Sequence, residues 1–160
     1  KYVKTLQANQ SIGLLSEAGC PAIADPGAAL VAAAQAAGIR VVPLVGPSSL
    51  VLALMASGLE GQRFAFCGYL PREKRERAER IRSLERRSRA ERETQIFIET
   101  PYRNDALLAA LLESCDGGTR LCIAADVTLS TEEIVTRTIS QWRGARAAVG
   151  RRPAVFLLQA

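Results

Sequence analysis

The residue types best suited to chemistry gather at three places along the chain. Residues 16–27, Ser16-Glu17-Ala18-Gly19-Cys20-Pro21-Ala22-Ile23-Ala24-Asp25-Pro26-Gly27, follow the apolar run Ile12-Gly13-Leu14-Leu15. Small residues at the carboxyl end of a strand let backbone approach a ligand closely, and open α/β sheets bind ligands at that edge. Further on, Gly46-Pro47-Ser48-Ser49 offers two hydroxyls, which either contact a ligand or cap the next helix. Glu99-Thr100-Pro101-Tyr102-Arg103 ends a third apolar run. Glu99 can accept a proton from a hydroxyl, and Arg103 can clamp a phosphate or carboxylate; alternatively the two form a structural ion pair.

The chain contains no histidine. That excludes Ser-His-Asp and Cys-His nucleophile pairs, HExxH metal sites and histidine general bases. Chemistry here must rely on carboxylates, Tyr, Lys, Arg and backbone, or on positioning a reactive cofactor. The four cysteines, at 20, 67, 115 and 122, lack CxxC spacing, so neither a zinc site nor a disulfide framework is expected. Reduced thiols, no export signal and no long apolar span point to a cytoplasmic protein that does not engage membranes.

These groups need a scaffold, and the apolar pattern supplies one. Residues 1–8 read as the end of an amphipathic helix, with Tyr2, Val3 and Leu6 on one side. Strands are expected at 12–15 and 39–44, and helices at 27–37, closed by Gly38, and at about 48–57, followed by Gly58. This β-α-β-α order implies a parallel sheet covered by helices. Strands follow at 64–67, 95–98 and 120–125, with a helix from a capping Asn104 to about Ser114, and further strands near 133–139 and 154–159. The fold class is therefore α/β. The polar link 58–62 divides it into a first domain, 1–61, with a parallel sheet, and a second, 62–160, with a mixed sheet. Two parallel strands are too few to stand alone, so the first domain is expected to have lost amino-terminal strands.

Net charge is +5, and residues 72–93 hold ten Lys/Arg against six Asp/Glu, leaving a net of only +1 elsewhere. Apolar positions there, Ala78, Ile81 and Leu84, recur every third residue. The segment reads as a solvated helix with a narrow contact stripe, laced by pairs such as Glu76 with Arg80, or as an electrostatic guide for RNA.

Four motifs occur in order: Leu15-Ser16-Glu17-Ala18-Gly19-Cys20-Pro21 through Ala24-Asp25-Pro26-Gly27; Val41-Val42-Pro43 with Gly46-Pro47-Ser48-Ser49; Phe66 with Gly68-Tyr69-Leu70-Pro71; and Ile96-Phe97-Ile98-Glu99-Thr100-Pro101-Tyr102-Arg103. That succession resembles the tetrapyrrole (corrin/porphyrin) methylase superfamily, the class III S-adenosylmethionine (SAM) methyltransferases. Within it, the chain is most similar to the branch that methylates ribose 2′-hydroxyls of small-subunit ribosomal RNA. The resemblance implies two α/β domains with SAM in the cleft between them, no metal, and usually a homodimer. It implies that Ser16, Glu17, Ala18, Gly19, Cys20, Ala24 and Asp25 line the methionine and sulfonium side. Ser48 or Ser49 would add a polar contact, and Ala125 and Asp126 would lie near adenine.

The chain departs from that branch in detail. Glu17 and Cys20 stand where Asp and Thr are more usual. Tyr102 replaces a His, and Asp126-Val127-Thr128-Leu129 replaces a Glu-Leu-Thr-Lys type of segment. A tetrapyrrole or other small-molecule methyltransferase, and a non-catalytic RNA-binding scaffold, are the alternatives. A dehydrogenase is not, because neither GxGxxG nor GxxxxGK[ST] occurs.

Overall fold

The computed structural model describes residues 2–8, 10–16, 19–145 and 147–160. The chain forms two compact units, Lys1–Ser49 and Leu50–Ala160. The sequence places the division at 61/62 instead. The units part earlier because the helix opening at Ser49 packs into the second one, through Leu50, Ala53 and Leu54.

The first unit holds α1 (Tyr2–Gln7) against α2 (Ala28–Ala36). Gly38, at φ +68°, ends α2 in the left-handed region where glycine is unstrained, as its position predicts. The strands expected at 12–15 and 39–44 are not formed: both segments are present without a ladder. A strand is defined by its partner, and here Leu15 (91%), Leu44 (87%) and Val45 (107%) stay exposed rather than packed between layers.

The second unit is a five-stranded mixed sheet with helices on both faces. Its elements are α3 (Ser49–Ser57), β1 (Phe64–Tyr69), α4 (Lys74–Glu91), β2 (Thr94–Ile98), a 3-10 turn (Pro101–Arg103), α5 (Asn104–Ser114), β3 (Arg120–Ala125), β4 (Glu133–Thr138), α6 (Ile139–Gly144) and β5 (Ala154–Gln159). Strand order is β1-β2-β5-β3-β4. β1 and β2 are parallel, while β5 runs antiparallel to both β2 and β3. β1, β2 and β3 therefore point the same way.

Period-two alternation sends each strand's residues to two cores. On one face Phe97 and Phe156 stack at 6.0 Å beneath Ile81, Leu84, Leu107 and Leu111 of α4 and α5. On the other, Ile96, Cys122, Ala124, Val155 and Leu157 meet α3. Each fully buried Leu, Ile or Phe contributes about 1.5–3 kcal/mol, so the central strands hold the sheet edge rigid. Trp142, the only tryptophan, fixes α6 by donating its indole N–H to Leu121 O at 2.8 Å.

Local chemistry sets the helix ends. Glu73 caps α4 by accepting from Arg75 N and Glu76 N, and Thr138 with Gln141 forms a reciprocal capping box on α6. Asn104 does not cap α5 as its position suggests. Its side chain is fully buried and its Nδ2 donates to Gly150 O and Arg152 O, anchoring the segment before β5. The pair expected between Glu76 and Arg80 is absent too: Glu79 takes Arg75 at 3.2 Å instead.

Candidate functional site

Because β1, β2 and β3 run in parallel, their carboxyl ends share one edge of the second unit. That edge carries Gly68–Pro71 at the end of β1, Glu99–Arg103 after β2 and Asp126–Leu129 after β3, with Arg152 and Pro153 entering β5 beside them. Glu99, Arg103, Ala125 and Asp126, four residues singled out from sequence, thus lie along one edge, on either side of β5.

Glu99 is almost wholly enclosed, its side chain 1% exposed. One carboxylate oxygen accepts from Thr100 N at 2.8 Å and the Thr100 hydroxyl at 3.2 Å; the other lies 2.8 Å from a terminal nitrogen of Arg103. In this arrangement Oε1 is hydrogen-bonded, while Oε2 meets Arg103 as an ion pair without hydrogen-bond geometry. Glu99 holds the Arg103 guanidinium, which is 17% exposed. Tyr102, at 65% exposure, projects from the same turn.

Asp126 has φ +53°, and Thr128 follows at φ +74°, so the turn after β3 holds two non-glycine residues in the left-handed region. Such strain persists where the surroundings over-determine it. Here Asp126 N donates to Pro153 O at 2.9 Å, the Thr131 hydroxyl donates to Asp126 Oδ2 at 2.9 Å, and Arg152 Nε lies 3.6 Å from the same oxygen. Arg152 also grips Glu133 at 2.8 Å. Asp105, at the start of α5, accepts from Val149 N and Gly150 N and so steadies the chain that delivers Arg152. Sequence reading missed Thr131 and Arg152. No motif contains them; the only signal is an arginine immediately before a buried strand.

Within the first unit, Ser16 is half-buried and Glu17 and Ala18 lie outside the described residues. Gly19 has φ +134°, Ala22 +65°, Ala24 +55° and Gly27 +144°. A side chain on Gly19 would meet nothing within 4 Å, whereas one on Gly27 would strike Leu14 at 2.7 Å. The loop therefore offers open backbone at Gly19 and a close approach at Gly27. Asp25 is exposed. The Cys20 thiol donates to Pro47 O at 3.3 Å and lies 3.7 Å from Gly46 O. It ties the 19–27 loop to the segment entering Ser48 and Ser49, so two of the sequence-marked segments meet through a sulfur that fills space. Ser49 itself opens α3. Among the described residues, no group of three or more metal-ligating side chains is assembled.

A mixed α/β sheet with polar loops gathered at its strand ends is the frame of a ligand-binding enzyme fold, and the comparisons say which family it belongs to. The family model for Tetrapyrrole (Corrin/Porphyrin) Methylases matches residues 1–142, and the chain belongs to that family. A relative from Mesorhizobium japonicum named "Ribosomal RNA small subunit methyltransferase I" is 40% identical over 139 residues, covering 87% of this chain and 46% of its own length. A solved structure of the methyltransferase CobJ superposes with TM-score 0.65 at 20% identity, covering 98% of this chain and 67% of the other. The uroporphyrin-III C-methyltransferase of Thermus thermophilus, solved with S-adenosylhomocysteine, gives TM-score 0.51 at 19% identity over 88% of this chain and 62% of its own. At those identities the structures establish the fold. The chain spans about half the length of the curated relatives it matches.

Proposed function

We propose that this chain is part of a SAM-dependent methyltransferase that methylates the 2′-hydroxyl of a ribose in small-subunit ribosomal RNA, working as a cytoplasmic homodimer without a metal. Membership of the methylase family carries the reading, and the name borne by the relative from M. japonicum supports the RNA acceptor. When bound, SAM supplies an electrophilic methyl on a sulfonium, transferred by in-line displacement that depends on near-attack geometry.

The described residues of the 19–27 loop suit that group in charge and in open backbone. As the family resemblance implies, residues 1–61 take its methionine end through Ser16, Glu17, Ala18, Gly19, Cys20 and Ala24; among the described residues, the open backbone at Gly19 admits close approach and Asp25 offers an exposed carboxylate to positive charge. Ser48 and Ser49 add hydroxyl contacts. Residues 62–160 take the adenine end at Ala125 and Asp126. Arg103, paired with Glu99, holds an acceptor phosphate beside the reacting hydroxyl; Glu99 acts on the reaction through that guanidinium.

The test is a calorimetric titration of this chain with S-adenosylhomocysteine, together with transfer of labelled methyl from SAM to unmethylated small ribosomal subunits. The relative from M. japonicum serves as positive control. A dissociation constant on the order of micromolar, about 8 kcal/mol, with label in RNA is the expected result. Label in neither RNA nor complex, with the control active, overturns the reading.

A further inference from the structure

The positive charge of residues 72–93 is not spread around α4. Ile81, Leu84, Glu85 and Ser88 mark its buried side. On the outer side, Arg75, Glu79, Arg82, Arg86 and Arg89 recur at alternating spacings of four and three, and all are exposed; Arg72, also exposed, lies just before the helix. That spacing places the helical positions in one row. The row holds four cations and one anion, a net of +3; the remaining charged positions of 72–93, six basic and five acidic, sum to +1. Most of the excess charge of the segment therefore lies on one line, about 21 Å long at 1.5 Å per residue.

Part of the row is already neutralised. Arg75 pairs with Glu79 at 3.2 Å, and Arg89 with Asp116 at 2.8 Å. Arg72, Arg82 and Arg86 make no ion pair among the described residues, and Arg82 donates only its Nε, to Ala78 O at 3.4 Å. Beside the row runs a shallow groove lined by Lys74, Arg75, Ala78, Arg82, Ala110 and Glu113.

We infer that this row is the docking surface for the phosphate backbone of the RNA substrate. The inference rests on the RNA reading above and adds the surface that holds the RNA. Every cation in the row is Arg, whose planar fork meets phosphate oxygens two at a time, where Lys offers a point charge. A membrane surface is the weaker match. An interfacial helix inserts an apolar face into lipid, and the apolar side of α4 is spent in the core.

The experiment measures binding of a short fluorescein-labelled RNA hairpin to this chain by anisotropy between about 50 and 200 mM salt. Wild type is compared with Arg82→Gln/Arg86→Gln and with Arg40→Gln/Arg80→Gln, which has the same net charge but spares the row. Losing two phosphate contacts lowers the salt slope by about 1.5 and the affinity on the order of tenfold. The Arg40/Arg80 variant is expected to stay near wild type. Equal losses in both variants, no loss in either, or no RNA binding by wild type overturns the inference. So does Arg82- and Arg86-dependent binding to phosphatidylserine vesicles without RNA binding. The methyltransferase reading is scored separately: RNA binding through the row with no S-adenosylhomocysteine binding keeps the surface and removes the enzyme.

Discussion

The Glu99 carboxylate and the Arg103 guanidinium meet at 2.8 Å across the end of β2, with side-chain exposures of 1% and 17%. Two consequences follow from so enclosed a pair. Its geometry is set before any ligand arrives, and removing either partner strands the other charge. Breaking a buried pair from one side costs about 3–5 kcal/mol. Glu99→Gln and Arg103→Met should each lower the urea midpoint by a stability loss near the bottom of that range, because Arg103 keeps some contact with water. The double variant should lose clearly less than the two single losses added. Additive losses would mean the groups are not coupled.

The thiols give a second reading of the fold. Burial, followed by the nearby carboxylates of Glu85 and Asp116, pushes the Cys115 thiol up to about 12. Burial also raises Cys122, partly offset by a hydrogen bond with Thr136. The thiolate is the reactive form. Iodoacetamide at about pH 8 should modify the partly exposed Cys20 in the folded chain and spare the buried Cys115 and Cys122. All four should react in urea. Peptide mass spectrometry distinguishes the sites, and rapid alkylation of folded Cys115 would contradict the packing of α5 on α6.

The Glu73 cap makes α4 acid-sensitive. Hydrogen bonds from the Arg75 and Glu76 backbone N–H groups pull its carboxyl below the ordinary 4.5. A group with a lowered folded value stabilises above its unfolded value, and that contribution fades as pH falls through the folded one. Glu73→Gln should therefore lower the thermal midpoint at neutral pH. The gap from wild type should narrow once pH drops below about 4.5, and close at strongly acid pH. A gap unchanged by pH would show that the carboxylate charge does not contribute.

Much of the second unit is readable from residue pattern. β5, Ala154–Gln159, is a continuous apolar run because both its faces are covered, and Asn104–Ser114 alternates small and large apolar residues at helical spacing. The first unit is less legible. Ile12–Leu15 and the 39–44 segment have strand-like composition, yet composition cannot supply a ladder partner, and they stay unpaired. The site divides in the same way. Glu99 and Arg103 are visible because they close a motif. Thr131 and Arg152 serve Asp126 from five positions downstream and from the entry to β5, contacts that only the sheet order brings about. Asn104 shows the limit of local rules: its type and place suggest a cap, but the carbonyls of Gly150 and Arg152 compete for its amide and win.

Those unforeseen partners yield the sharpest test of the adenine end. Asp126 is 8% exposed; its Oδ2 accepts from the Thr131 hydroxyl and lies 3.6 Å from Arg152 Nε, so these two partners set its orientation. If that orientation serves cofactor binding, Arg152→Met should weaken S-adenosylhomocysteine binding on the order of tenfold, or about 1.4 kcal/mol. Arg152→Lys should recover part of the loss, because it restores a cation near Glu133 and Asp126 without the planar fork. Thr131→Val should weaken binding less, as it removes one neutral donor. Thermal midpoints measured alongside separate the two explanations. A purely structural Arg152 would lower the midpoint in Arg152→Met and leave the affinity of the folded fraction unchanged, and that outcome would remove Asp126 from the cofactor site.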